Sequence, residues 1–217
     1  WTLVGALESL GARVREEGAD LGVIFDSDAD QLHSVTETGR IVDSDQLLMI
    51  LARDGLERNP GADIVYDVKF TRHFGPFITR AGGRGLLARS GPLFVREKMQ
   101  QSGALLGADF SGHFFFTERW YGFDDALYSL ARLLELLAAA SASYDELVNE
   151  LPSSLCTPVM TLALEDRLRR KILRSLISEA EFPGARVTTI DGLRVDYADG
   201  WGLVRNATTE SSLSFRF

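Results

Sequence analysis

Up to about residue 152 the chain alternates between helical and extended apolar patterns, and this rhythm restricts its fold more than any other feature. "LVGALESLGARVREEG" carries apolar residues at helical spacing and ends on Gly18, a residue suited to a left-handed C-terminal cap. "ADLGVIF" is a short apolar run that fits a buried strand. "VTETGRIV" reads as two strand pieces around a turn at Gly39. "SDQLLMILARDGLERNP" predicts a helix with Ser44 as its N-cap and Asn59-Pro60 as its stop. The same reading gives strand "ADIVYDV", helix "TRHFGPFITRAGG", strand "GRGLLAR", helix "GPLFVREKMQQSG" with Pro92 in its first turn, and strand "GALLGADF". Two helices follow, "DDALYSLARLLELLAAA" and "SYDELVNEL". Strands separated by helices predict an α/β fold with a mostly parallel, mixed sheet. After Pro152 the pattern changes. "TPVMTLAL" is extended and "EDRLRRKILRSLISEA" is helical. "RVTTIDGLRVDYADGWGLVR" and "SSLSFRF" are strand-rich, with turns at Asp191-Gly192 and Asp199-Gly200. This stretch predicts the start of an antiparallel α+β domain.

The formal net charge of -8 and the lack of any Lys/Arg run argue against a nucleic-acid partner. The longest apolar run, "LYSLARLLELLAAASA", is interrupted by Arg132 and Glu135, so it reads as an amphipathic core helix and not as a membrane span. The single cysteine, Cys156, allows no internal disulfide and fits a reducing, cytoplasmic setting. The chain opens on Trp1 and stops at the strand-like "SLSFRF". The expectation is therefore a portion of a longer polypeptide.

Chemistry enters at "LGVIFDSDADQLHSV", where an apolar run leads into Asp26, Asp28 and Asp30. Like charges this close raise one another's pKa unless something positive offsets them or water solvates them fully. A solvated acidic turn is the plainest reading. A calcium loop of the EF-hand kind would place Asp26, Asp28, Asp30 and Glu37 in register, but Gln31 occupies the position that needs glycine for the sharp turn. A divalent-metal site for phosphoryl chemistry explains both the clustering and its place at a strand end, because Mg²⁺ takes hard oxygen ligands and keeps positions for a phosphate oxygen.

At this loop, and then along nearly the whole chain, the sequence resembles the phosphohexomutases, in particular their bacterial phosphomannomutase/phosphoglucomutase branch. The metal loop of that family reads D-G-D-G-D-R after an apolar strand, and here it is "DSDADQ". "NPGADIVYDVKFTR", "GALLGADFSGHFFFTERWYGFDDALYSLARLLELL" and "TTIDGLRVDYADGWGLVR" carry the rest of the likeness. The resemblance implies a four-domain architecture. Domain 2 would end near residue 41, domain 3 would span about residues 42–152, and domain 4 would open over 153–217. Domain 1, with the family's catalytic phosphoserine, has no counterpart in the sequence. It further implies a monomer that interconverts hexose 1-phosphate and hexose 6-phosphate of glucose or mannose through a hexose bisphosphate.

The resemblance assigns Asp26, Asp28 and Asp30 as Mg²⁺ ligands. It assigns Asp109, Ser111 and His113 of "DFSGH" to sugar binding, against the family's usual E-x-S-G-H, and Lys69 of "DVKFTR" as a basic residue near the site. "RNATTES" falls on the family's phosphate loop, R-x-S-N/G-T-x-P, so Arg205, Thr208 and Thr209 are expected to bind phosphate. The departures concentrate in the loops. Ser27 and Ala29 replace two glycines, and Gln31 replaces an arginine that would balance the carboxylates. Arg89, Ser90 and Pro92 stand in a K-T-G-H-S-like segment, with Pro92 in place of its histidine. Ala207 and Ser211 alter the phosphate loop. Where a position needs φ > 0, a Cβ costs of order 1 kcal/mol. The expectation is a phosphohexomutase with weak or no activity. The alternatives are a catalytically dead sugar-phosphate-binding or structural chain, and a phosphatase of the haloacid-dehalogenase kind. The latter would use Asp26 as nucleophile, Asp28 as general acid and "GFDD" as a late acidic motif. For it, no lysine is well placed between the two motifs.

Overall fold

A computed structural model describes residues 2–207 and 210–217. The chain divides into two units, one ending at Ser153 and the other spanning Ser154–Phe217.

In the first unit, helix α1 (Leu3–Glu17) starts at Thr2, whose hydroxyl accepts the Gly5 N–H at 3.2 Å. It stops at Gly18, which takes the left-handed conformation at φ 65°. The helix packs on an antiparallel sheet of β1 (Leu21–Phe25), β2 (Leu32–Thr36) and β3 (Ile41–Val42), in the order β1-β2-β3. A Cβ on Gly22 would lie 2.6 Å from Val14 Cγ2, so β1 runs directly against the helix. The aspartate loop therefore joins two antiparallel neighbours, and no crossover helix follows it. An apolar run fits either arrangement, because its pattern does not report the direction of its partner.

Helix α2 (Ser44–Arg58) is capped by Asp43, not by Ser44. The Gln46 side chain accepts the Asp43 N–H at 3.2 Å, while the Ser44 hydroxyl donates to the Phe110 carbonyl at 3.2 Å. Leu47 through Ala52 are all buried, so α2 is covered on every side. It lies among α3 (Phe74–Arg80), α5 (Ala126–Ala139), α6 (Tyr144–Asn149) and a four-stranded sheet.

That sheet has the order β5-β4-β6-β7. Strands β4 (Asp63–Asp67), β5 (Arg84–Ala88) and β6 (Leu106–Ala108) are parallel, and β7 (Phe114–Phe116) is antiparallel to β6. Helices α3 and α4 (Pro92–Ser102) lie in the two crossovers between the parallel strands, with Pro92 at the first turn of α4. Strand β7 falls where the sequence showed only an aromatic run. Phe114 and Phe116 enter the main core and Phe115 the smaller cluster around Val65, Val95 and Met99, so both faces are apolar and no alternation marks it. The loops after β4, β5 and β6 leave the same edge of the sheet, the edge where ligands bind in open α/β sheets.

The second unit is an antiparallel sheet in the order β8-β12-β11-β10-β9 with one helix, α7 (Asp166–Glu179). Its strands are β8 (Met160–Ala163), β9 (Arg186–Thr188), β10 (Leu193–Asp196), β11 (Trp201–Asn206) and β12 (Ser212–Arg216). Leu173 of α7 packs on Leu193 and Val195. The buried Trp201 ring carries two buried guanidiniums, Arg194 at 4.3 Å and Arg216 at 5.8 Å. Among the described residues, no helix is long and apolar enough to cross a membrane.

Candidate active site

The chain leaves β1 and turns through Asp26–Gln31. Asp26 clamps this loop from inside. Its Oδ1 accepts the N–H groups of Asp30 at 3.1 Å and Gln31 at 3.0 Å, and its Oδ2 accepts the Gln31 side-chain amide at 3.1 Å. Ala29 has φ 59°, in the left-handed region where a Cβ is strained, while Ser27 keeps negative φ. Of the two positions where the family has glycine, position 29 is thus the one whose backbone calls for it.

Asp26, Asp28 and Asp30 each offer a carboxylate oxygen, and these oxygens all lie within 4.8 Å of one another. Burial, and then the charges of Asp26 and Asp28, raise the Asp30 carboxyl against the opposing pull of His113. Burial would also raise Asp26, but the Gln31 N–H, hydrogen bonding with the neighbouring carboxyls and the Asp30 N–H hold it below the usual range. Asp30 Oδ1 is buried without a hydrogen bond. It faces His113 Nε2 at 3.4 Å. Three hard oxygen donors, one of them buried and unsatisfied, fit Mg²⁺.

The "DFSGH" loop follows β6. Asp109 is fully buried, and its Oδ1 accepts the N–H groups of Ser111 at 2.9 Å and His113 at 3.1 Å. Its Oδ2 meets His113 Nδ1 at 3.0 Å. Both oxygens are thus engaged inside the loop, while Ser111 is exposed. Burial alone would depress the His113 imidazole, but its bond to Asp109 and the charges of Asp109, Asp30 and Asp124 outweigh this and raise its pKa. Asp124 joins Asp30 and His113 in a second group whose ligand atoms lie within 4.8 Å.

Backbone bonds join the two loops. The Leu32 N–H donates to the Gly112 carbonyl at 3.0 Å, and Gln31 forms an isolated antiparallel bridge with His113. The Ala126 N–H, at the start of α5, donates to the Ala29 carbonyl at 3.0 Å. The His33 ring, depressed by burial, sits beside Gly112, where a Cβ would fall 3.1 Å from its Cε1.

Lys69 follows β4 and lays its Nζ over the Phe110 ring, 4.9 Å from the centroid. After β5, exposed Arg89 stacks on Phe94 at 4.0 Å, and the buried Ser90 hydroxyl donates to Asp67 at 2.8 Å. The first unit therefore gathers Asp26, Asp28 and Asp30 with Asp109, Ser111 and His113, while Lys69 reaches Phe110 of the "DFSGH" loop. In the second unit Arg205 is buried and its Nε donates to Asp191 at 2.9 Å. The Ala207 N–H donates to the Ser212 carbonyl at 3.0 Å, and the Ser211 hydroxyl donates to Asp166 at 3.0 Å. Thr208 and Thr209 lie outside the described residues. Sequence reasoning passed over three polar residues here. Asp67 looked like an ordinary strand end, Asp124 was weighed only as part of a phosphatase motif, and His33 stood in a strand. For Asp67, a polar end on an otherwise apolar strand was the available signal.

Residues 43–155 match the family model described as phosphoglucomutase/phosphomannomutase, alpha/beta/alpha domain III. The phosphomannomutase/phosphoglucomutase of Pseudomonas putida is 48% identical over 211 residues, which are 97% of this chain and 46% of that protein. The phosphoglucomutase of Neisseria meningitidis serogroup A is 45% identical over 213 residues, covering 97% of this chain and 46% of its own length. The X-ray structure of a phosphoglucomutase/phosphomannomutase family protein from Burkholderia thailandensis superimposes with a TM-score of 0.91 at 42% identity, over 98% of this chain and 45% of that one. The chain spans about half the length of the relatives it matches. On the match over residues 43–155, which is more than half of its length, the chain belongs to the phosphoglucomutase/phosphomannomutase family.

Proposed function

We propose that the chain supplies the metal-binding and sugar-reading part of a phosphohexomutase that interconverts hexose 1-phosphate and hexose 6-phosphate of glucose or mannose. One observation carries this reading: the acidic loop and the "DFSGH" loop meet, with Asp30 facing His113 at 3.4 Å. The proposed parts are residues 1–41 with the metal loop, 42–152 with the sugar loop and 153–217 with the phosphate loop. A phosphoserine from outside residues 1–217 passes its phosphoryl group to a free sugar hydroxyl. The P–O bond to serine breaks, a P–O bond to the sugar forms, and the sugar hydroxyl's proton ends on the freed serine oxygen. The bisphosphate then turns and returns its other phosphoryl group to the serine.

Mg²⁺ held by Asp26, Asp28 and Asp30 would offset negative charge on the phosphoryl group. Exposed Ser111 hydrogen-bonds a sugar hydroxyl. His113, anchored through Nδ1 by Asp109, holds or passes a proton at Nε2. Asp109 orients these two residues, since its own oxygens are engaged. Lys69 adds positive charge beside Phe110. Arg205, Thr208 and Thr209 bind phosphate. A cytoplasmic setting has the support of a single cysteine in 217 residues.

Activity is weak in this reading. The Gln31 amide turns back onto Asp26 and brings no charge to the phosphoryl group. One lost preorganised charge costs about 10²–10³ in rate. The test is a chimera in which residues 1–217 replace the matching region of the Pseudomonas putida relative. Conversion of glucose 1-phosphate to glucose 6-phosphate at least about 10²-fold slower than the parent is expected, and parental turnover would refute it. The Gln31–Asp26 contact also favours a second reading, sugar-phosphate binding without turnover. Calorimetric titration of the chimera with glucose 1-phosphate, with and without Mg²⁺, identifies that case by heat of binding in the absence of product.

A further inference from the structure

We infer that Asp67 is the positioning residue of the sugar-phosphate loops, holding Lys69, the loop at Ser90 and the loop at Phe110 to one buried carboxylate. The inference deepens the mutase reading and rests on it for the identity of the ligand.

Asp67 ends β4, the strand between β5 and β6, and is fully buried. Its Oδ1 accepts the Lys69 N–H at 2.8 Å. Its Oδ2 accepts the Ser90 hydroxyl at 2.8 Å and the Phe110 N–H at 3.0 Å. The three donors belong to the segments that follow β4, β5 and β6. One side chain thus collects all three loops on the ligand-binding edge of the parallel strands. A carboxylate suits this place because it accepts at two oxygens and brings no donor of its own. Burial raises the Asp67 carboxyl, against the charge of Lys69 and the N–H groups of Lys69 and Phe110.

The held segments are the ones that face a ligand. Lys69 Nζ lies over Phe110, so the first and third loops also grip each other. Ser44 at the start of α2 donates to the Phe110 carbonyl, which fixes that residue from the opposite side. Ser111 and His113 follow immediately. Setting the Phe110 N–H therefore sets where the exposed Ser111 hydroxyl and the His113 ring arrive.

The test is Asp67→Asn in the chimera that carries residues 1–217 in the Pseudomonas putida relative. An amide offers one acceptor and one donor, so it cannot serve both the Lys69 and the Phe110 N–H. The loss of one such bond is expected to speed hydrogen exchange at Lys69, Phe110 or both by about ten-fold, with the interior of α2 still protected. Glucose 1-phosphate affinity, read by titration calorimetry, is expected to fall about ten-fold. Unchanged exchange at both amides overturns the inference. So does acceleration that is uniform through α2, which marks Asp67 as a residue of the fold alone. If the unmutated chimera does not bind glucose 1-phosphate, the mutase reading loses its support here while the exchange pattern still decides the role of Asp67. Should Asp67→Asn fail to fold, Ser90→Ala removes one donor and keeps the carboxylate. Faster exchange confined to residues 89–91 is then expected, and wild-type exchange there overturns the inference.

Discussion

The loop of residues 26–31 and the loop of residues 109–113 both depend on aspartate, but in opposite ways. Asp30 is about one-third exposed and competes with Asp26 and Asp28 for positive charge, with one buried oxygen left unsatisfied. Asp109 is fully enclosed, and three donors from its own loop satisfy it. The first arrangement concentrates negative charge that a bound cation would balance. The second is complete by itself and acts as a fixed mount for His113. A buried carboxylate with enough donors makes a rigid part, and clustered exposed carboxylates make a receptor.

The largest effect should come from breaking the closed loop. Asp109→Ala strands two N–H groups and one imidazole, and is expected to cost about 3 kcal/mol in urea unfolding. If it costs no more than Asp28→Asn, the contrast between the loops is wrong. Acid provides a sharper control through a third kind of carboxylate, at the opposite edge of the β5-β4-β6-β7 sheet. Glu118 is held at about 2 by its hydrogen bond to Arg58, against burial, with Asn59 also donating. Its folded pKa lies below its ordinary value of 4.5. Its stabilisation is therefore present above about pH 4.5 and lost as pH falls toward 2. A pH series of unfolding midpoints should show this decline, on the order of 1–2 kcal/mol after solvent screening, and Glu118→Gln should flatten it.

The proposed metal role of the open loop is the next test. Mg²⁺ at ten times its dissociation constant should stabilise the chain by about 1.4 kcal/mol. Asp28→Asn should remove that gain and hold or slightly raise the metal-free midpoint, since Asp28 is exposed and its charge opposes that of Asp30. Equal stabilisation of both proteins would mean that the ion binds elsewhere. The smallest effect is expected from Ala29→Gly. Relief of the left-handed strain, less the added freedom of the unfolded chain, should raise stability by about 0.5 kcal/mol, read as a shift in the urea midpoint.

Much of the scaffold was legible because it follows local rules. Gly18 ends α1 and Pro92 opens α4 as their backbone preferences require. Ser44 misled because two polar residues stand side by side before α2, and only the structure shows that one of them is needed at Phe110. Strand β7 was hidden by burial on both faces. The antiparallel pairing of β1 with β2 was hidden because an apolar run does not report the direction of its partner. Asp26, Asp28, Asp30 and His113 stood out through motif resemblance, whereas Asp67 did not. Its meaning lies in donors 23 and 43 residues away in the chain, a relation that no local window contains.

The Leu32–Gly112 bond and the Gln31–His113 bridge make the acidic loop and the "DFSGH" loop a single platform, and the bond from Ala126 to Ala29 ties it to α5. Neither half can be tilted without tearing main-chain hydrogen bonds from the other. In the proposed mutase cycle, a hexose bisphosphate that must offer each end in turn to one phosphoryl donor would meet a stationary floor here, and the turning would fall to the sugar.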